Sequence, residues 1–472
     1  MSHINDLNPK KLVPWSTEQL EAATHGQWLH LAQQREFARI ITDTRQIQPN
    51  DIFLALTGER FDGHDFVAQA ISLGASAAIV NRPLELDIPQ LVVADTRLAL
   101  GHLGAYRRQK NPQLTVIALT GSSGKTTVKE MLGSILSQLA PTLVTRGNLN
   151  NDLGVPLMLL ELQPEHRYAV MELGANHSGE IDYTSNMVQP HVAGILNIGT
   201  AHMGEFGGRS GIAKAKSEIF AHLKEGAIAV VPAVDDFSDV IRHAAAKQTI
   251  MSFGHGGDVY AQNIQLHASN SDFELVTPQG RIAISLPFAG AHNIDNALAA
   301  AAFALAIDVP LPQIAQGLNY AVGAKGRLNF KQYANWLIID DTYNANPHAM
   351  RAAAQVLSAQ RGCKIMIMGD IGELGDAAAQ EHFLLGQDIA QLDINAIFAV
   401  GEYAEQTVAG AHSHTNAVSA YAFTQKADLL AQLKQFLNQL TPSTASLLFK
   451  GSRYTTMESL IAELLADSGE SI

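Results

Sequence analysis

The eight residues Thr120-Gly121-Ser122-Ser123-Gly124-Lys125-Thr126-Thr127 constrain this chain more than any others. The β-branched run Thr115–Leu119 precedes them, and a helical pattern carrying Val128, Met131, Leu132, Ile135 and Leu136 follows. A strand feeding a glycine-rich loop that opens a helix is a phosphate cradle. Glycines let backbone N–H groups converge on phosphate oxygens, and the helix N-terminus adds a favourable dipole. Gly121, Ser122, Ser123, Gly124 and Thr127 are the expected cradle, with Lys125 on the terminal phosphates and the Thr126 hydroxyl on Mg²⁺. Leu119 stands where the usual P-loop carries its first glycine, so an ordinary kinase or GTPase fits less well.

At 472 residues the chain is too long for one core. Apolar residues make up 47% and charged residues 16%, as in ordinary globular α/β proteins. A net charge of −13 argues against a nucleic-acid surface or an anionic-membrane surface. It leaves room for an anionic small ligand, which a few aimed cations can hold. Cys363 is the single cysteine, which fits a reducing compartment, and no signal pattern or membrane-length apolar run is present. The apolar stretch Ala297–Ile307 reads as a buried helix.

The expected fold class is α/β in three domains. Residues 1–90 form a small α/β domain, 91–325 a central P-loop domain on a parallel sheet, and 326–472 a Rossmann-like domain. Pro83 and Pro89 mark Asn81–Pro89 as the first boundary, with a loop inside one domain as the alternative. Leu91–Ala94 is assigned to the central part as a strand, with Ala169–Leu173, Val192–Leu196 and Ala227–Val231. The last part contributes Trp336–Asp340, Lys364–Met368, Ala396–Val400 and Ser446–Phe449.

Several residues are candidates for chemistry. Glu172 closes a buried strand, where ligands bind in parallel sheets, so it reads as a Mg²⁺ ligand or as a solvated acid. His202 follows another strand end and is a ligand or a structural histidine. Lys216, on a helix, reads on its own as a solvated cation. Gly290–Ala297 opens the apolar helix; its His and Asn residues either cap that helix or read a purine edge. Arg327, Asp341 and Lys450–Arg453 are surface groups or ligand contacts.

Taken together, the Thr120–Thr127 loop, Glu172, His202, Lys216, His292-Asn293…Asn296, Arg327 and Asp341 resemble the Mur ligases, over nearly the whole chain. Thr42–Arg45 and Phe53–Phe66 look like the nucleotide-sugar domain of the two later ligases. Gly147–Pro156, Asp341–Pro347 and Gly369–Gly375 resemble the last of them. The Asp-Asn-Pro-Arg motif of the preceding ligase, which adds the third amino acid, is missing.

The resemblance implies a cytoplasmic, monomeric ATP-dependent ligase of cell-wall synthesis. It implies Mg²⁺ and the substrates UDP-N-acetylmuramoyl-tripeptide and D-alanyl-D-alanine. By carry-over, Lys125 grips the transferred phosphate, Thr126 and Glu172 bind one Mg²⁺, and His202 a second beside a carbamylated Lys216. Asn293 and Asn296 lie on the adenine side, Arg327 on the phosphates and Asp341 on the ribose. Thr42, Asp43, Thr44, Arg45, Asn148, Asn150 and Asn151 fall in the sugar-nucleotide substrate region. A nucleotide-sensing protein and a simple small-molecule kinase are the rival classes.

Overall fold

The structure is a computed structural model and describes residues 13–58, 61–200, 205–414, 418–440 and 444–466. The chain divides into two compact units. One gathers the described residues through Ala118 with Ala140–Gly174 and Glu180–His191; the other holds Leu119–Leu139, Ala175–Gly179 and the chain from Val192 onward.

The first unit carries a five-stranded sheet in the order Gln27–Leu29, Gln90–Val92, Ala77–Val80, Ile52–Leu54, Ile40–Ile41. The first pair is antiparallel and the rest parallel. Alternation sends Ile52, Leu54, Ala77 and Ile79 to one apolar cluster and Phe53, Ala55, Ala78 and Val80 to another. Both sheet faces are therefore buried, as parallel strands require. The helix Thr96–Gln109 lays Ala99, Leu100 and Leu103 on the first cluster. Asp95 caps it by accepting from the Arg97 and Leu98 amides.

Two expectations are corrected here. Residues 90–92 are hydrogen-bonded into this first sheet, so the strand assigned to the central part belongs to the first unit. Asn81–Pro89 is a loop within that sheet rather than a linker. The Gln90 side chain ties it down by accepting from Leu84 N and donating to Leu84 O and Leu86 O. Proline punctuation marks any turn, and cannot tell a crossover loop from a domain border. In the same unit, Tyr168–Glu172 pairs in parallel with Thr142–Val144.

In the second unit, Val192–Ile195, Ile228–Pro232 and Thr249–Phe253 run parallel. An antiparallel meander, Tyr260–Leu266, Ser271–Thr277 and Gly280–Leu286, follows; the sequence reading contains none of it. The helix Ala291–Leu305 is buried along most of its length, as its apolar run predicts. No helix among the described residues is long and apolar enough to cross a membrane.

The last segment forms a six-stranded sheet, in the order Asn329–Tyr333, Trp336–Asp341, Ala445–Lys450, Cys363–Gly369, Ala396–Val400, Ser419–Phe423. Only the opening hairpin is antiparallel. The last of these strands in the chain, Ala445–Lys450, thus lies between Trp336–Asp341 and Cys363–Gly369. Its register sets Lys450 beside Asp341 on one side and Met368 on the other.

Candidate active site

Gly124 caps the helix Lys125–Ser137 with φ +81°, a left-handed conformation that favours glycine. A Cβ there would also come within 2.2 Å of Asn296 Oδ1, so the position excludes side chains twice over. The loop is fastened from below by Asn197. Its Oδ1 accepts from Ser123 N at 2.9 Å, its Nδ2 donates to Ser123 O at 3.1 Å, and its own carbonyl accepts from Ser122 N. Ser122 Oγ accepts in turn from Gly199 N at 2.8 Å. Lys125 Nζ donates to Gly121 O at 2.7 Å, so its ammonium lies folded over the loop.

Two side chains from the last segment reach this loop. Arg327 Nη2 donates to Thr126 Oγ1 at 3.0 Å, and Asn346 Nδ2 donates to Ser123 Oγ at 3.0 Å. The Arg327 guanidinium lies over the Tyr343 ring, 4.5 Å from its centre. Asn346 also caps the helix Pro347–Ser358 by accepting from Ala349 N. Asp341 sits on the strand end behind them. Its Oδ2 pairs with Lys450 Nζ at 2.7 Å and its Oδ1 accepts from Leu328 N at 3.2 Å. Burial pushes this carboxyl up, against the pull of Lys450 and Arg327.

At the start of the helix Ala291–Leu305, the capping reading does not hold. Gly290 is the cap and supplies no side-chain bond. Asn293 Nδ2 donates back to Ala289 O, and its Oδ1 accepts from Asn296 Nδ2 at 3.1 Å, which sets the Asn296 amide against Gly124. His292 is pushed down to about 4 by burial and by the nearby charges of His348 and Lys450. Lys216 is only 3% exposed, so the solvated-lysine reading fails too. His202 lies outside the described residues.

In the first unit, Glu172 is buried at the end of its strand and the solvated-acid reading does not hold. Its Oε1 accepts from Asn150 Nδ2 at 2.7 Å, and its amide donates to Thr145 Oγ1. Asn150 thus orients a carboxylate, while Asn151 accepts from Gly154 N at the head of the helix Gly154–Leu160. Asn148 is exposed. Asp43 caps the short turn Thr44–Gln46 and forms an ion pair with Arg45, whose hydrogen bonds hold its carboxyl down at about 2. Thr42 precedes this turn.

The Thr126 hydroxyl at the loop and the Glu172 carboxylate of the first unit are each the kind of oxygen donor that Mg²⁺, a hard cation, takes. No group of three or more His, Cys, Asp or Glu side chains able to hold a metal occurs among the described residues.

Sequence reasoning missed Asn197, Asn346 and the partnership of Lys450 with Asp341. Asn197 left one usable sign, a polar residue closing a buried strand next to the loop strand. Asn346 carried the N-cap-then-proline pattern, which predicts the helix but not the contact to Ser123.

This site is that of an enzyme class that binds nucleotide on a short glycine loop and completes it from a following α/β segment. The Mur ligase middle domain matches residues 119–304, the Mur ligase glutamate ligase domain residues 326–453, and the Mur ligase family catalytic domain residues 36–119. The chain belongs to the Mur ligase family, with its three-domain α/β fold and parallel sheets.

Within that family it is 43% identical, over 90% of its length and 93% of the relative, to the UDP-N-acetylmuramoyl-tripeptide–D-alanyl-D-alanine ligase of Escherichia coli. A crystal structure of MurF from Acinetobacter baumannii is 60% identical. It superposes with a TM-score of 0.93, covering 97% of this chain and 100% of that one. MurF from Thermotoga maritima in complex with ADP is 27% identical, with a TM-score of 0.80 over 90% and 96% of the two chains.

Proposed function

We propose that the chain joins D-alanyl-D-alanine to UDP-N-acetylmuramoyl-tripeptide at the expense of ATP, giving the pentapeptide precursor of peptidoglycan. The 43% identity to a ligase of that name, spanning nearly both whole chains, carries the reading. The nucleotide loop fastened by Asn197 and touched by Arg327 supports it. The enzyme works in the cytoplasm as a monomer. It has a sugar-nucleotide domain, an ATP domain and a C-terminal domain, the last beginning near residue 326. The first border lies beyond Gln90–Val92, which the first sheet holds.

A carboxylate is a poor electrophile, so it must be activated. One oxygen of the tripeptide's terminal carboxylate takes the terminal phosphoryl group of ATP, and ADP leaves. The dipeptide amine then attacks the acyl carbon, and phosphate departs as the amide forms. Most of the catalytic work is holding anions together in line. Lys125 swings from Gly121 O to the transferred phosphate. Arg327 adds a second cation on the same group, already 3.0 Å from the Thr126 hydroxyl. Asn296, aligned by Asn293, meets the adenine side. Asp341 lies on the ribose side. Thr42, Asp43, Thr44 and Arg45 serve the sugar nucleotide, together with the Asn148–Asn151 segment.

Thr126 and Glu172 would hold Mg²⁺, and His202 with a carbamylated Lys216 a second ion; the ions would supply charge neutralisation of the phosphates. Lys216 is buried, and addition of carbon dioxide to its neutral amine, with loss of a proton, would give a carbamate anion suited to a metal.

Phosphate release from ATP, with UDP-muramoyl-tripeptide present and D-alanyl-D-alanine added or withheld, tests the reading. Release that needs the dipeptide, with a pentapeptide product by mass, is expected. Activity only with a free diamino acid and the UDP-dipeptide would move the chain to the preceding ligase. Nucleotide binding with no turnover on either substrate set would favour a sensor.

A further inference from the structure

We propose that Lys450 is a positioning residue: through Asp341 and Asn344 it holds both arms that the last segment lays on the nucleotide loop, Arg327 and Asn346. The proposal rests on Arg327 acting at the phosphates.

Lys450 is 3% exposed at the end of a central strand. Its Nζ meets Asp341 Oδ2 at 2.7 Å, Asn344 O at 2.9 Å and Asp341 O at 3.5 Å, so its three donors have three acceptors. A buried ion pair is a weak source of stability, because packed apolar groups of the same size often do as well. What this pair supplies is geometry.

The first route runs to Arg327. Asp341 spends its other oxygen on Leu328 N, the amide next to Arg327. Leu328 has φ +49° and Gly326 φ +71°, so the backbone on both sides of Arg327 is left-handed. A leucine holds that conformation only when its surroundings fix it. The Arg327 side chain is held at its tip, by Thr126 Oγ1 and the Tyr343 ring, while its Nε makes no hydrogen bond among the described residues. The backbone that Asp341 and Lys450 anchor sets where that side chain starts, and so whether its tip can meet Thr126 and Tyr343.

The second route runs along the loop after Asp341. By gripping Asn344 O, Lys450 pins the stretch between Tyr343, whose ring lies beneath Arg327, and Asn346, which reaches Ser123. Arg453 N donates to Asn344 Oδ1 at 3.3 Å, so the segment after Lys450 reinforces the same turn.

A double-mutant cycle between Lys450→Met and Arg327→Ala tests the proposal, read by steady-state phosphate release with ATP and UDP-muramoyl-tripeptide varied separately. Each single change is expected to lower kcat/KM for ATP about tenfold or more, with KM for the UDP substrate unchanged. Adding K450M to R327A is expected to cost less than about twofold, because the second change removes support for a group already gone. Independent, multiplying losses overturn the proposal, as does a K450M enzyme with normal turnover beside an impaired R327A. A normal R327A would instead remove the assignment of Arg327 itself. If K450M alone fails to fold, the doubly neutral K450M/D341N removes both charges and keeps both shapes. Coupling of that pair to R327A is then the expected result, and additivity the overturning one.

Discussion

The nucleotide loop and the polar cluster behind it are built in opposite ways. Loop residues 120–127 are contiguous, and their local chemistry specifies their shape: a glycine with positive φ, a lysine, and hydroxyls at a helix head. The cluster of Arg327, Asp341, Asn344, Asn346 and Lys450 spans more than a hundred residues of chain and exists only once a sheet has been assembled. The first is a motif, and tolerates change poorly at each position. The second is an assembly, and its members fail together. Local chemistry is read from sequence; assembled chemistry needs topology.

Mutations can break or sharpen this contrast. Lys125→Ala has the largest expected effect. It removes the loop's cation and lowers turnover about a thousandfold or more, with the melting curve unchanged. Wild-type phosphate release would remove the loop from the mechanism. Next is Gly124→Ala, which meets both a left-handed backbone and Asn296 Oδ1. Loss of nucleotide affinity by about tenfold or more is expected in a calorimetric titration, with a stability cost of about 1–2 kcal/mol.

Asn346 separates the two modes of construction. Aspartate is as good a helix cap as asparagine but has no amide to give Ser123. Asn346→Asp is expected to keep stability within about 0.5 kcal/mol and lose several-fold in kcat, whereas Asn346→Ala loses both, with about 1 kcal/mol from the cap. Equal stability of the two variants would show that the cap contributes nothing.

The last prediction is a pH slope, which leaves turnover at neutral pH untouched. His292 is held neutral in the fold, down to about 4, while an unfolded histidine takes its proton near 6.5. The unfolded chain therefore binds more protons between those values. This contribution to stability is complete above about pH 6.5 and is lost as pH falls toward 4, by up to about 3 kcal/mol. His348, pushed down by burial and Arg351, adds in the same direction. Denaturant melts of His292→Gln across this range are expected to show a shallower acid slope; an unchanged slope would assign it to other groups.

The α/β class, the nucleotide loop and most buried strands were legible because each is a local pattern. Lys364–Met368, for example, is apolar on both faces and appears as the strand Cys363–Gly369. The meander Tyr260–Leu266 to Gly280–Leu286 was not: its outer strands are largely exposed and mix polar with apolar residues. The helix head at Ala291 misled in another way, since Asn and His there look like caps while a glycine serves. Lys216 looked like a solvated charge because burial of a single ionisable side chain leaves no mark on its neighbours in sequence. Asp341 and Lys450 could not be paired, because nothing local says which strand will insert between which.

That insertion bears on how the enzyme is made. Synthesis proceeds from the N-terminus, so the strands Trp336–Asp341 and Cys363–Gly369 leave the ribosome long before Ala445–Lys450 arrives to join them. Until then the gap between them has exposed backbone edges, and Asp341 has no counter-ion. A chain released early, or clipped ahead of residue 445, has its whole glycine loop and still lacks the scaffold that aims Arg327. The strand that carries Lys450 is thus the last of the described strands to be translated, and the polar cluster behind the nucleotide loop closes only when it arrives.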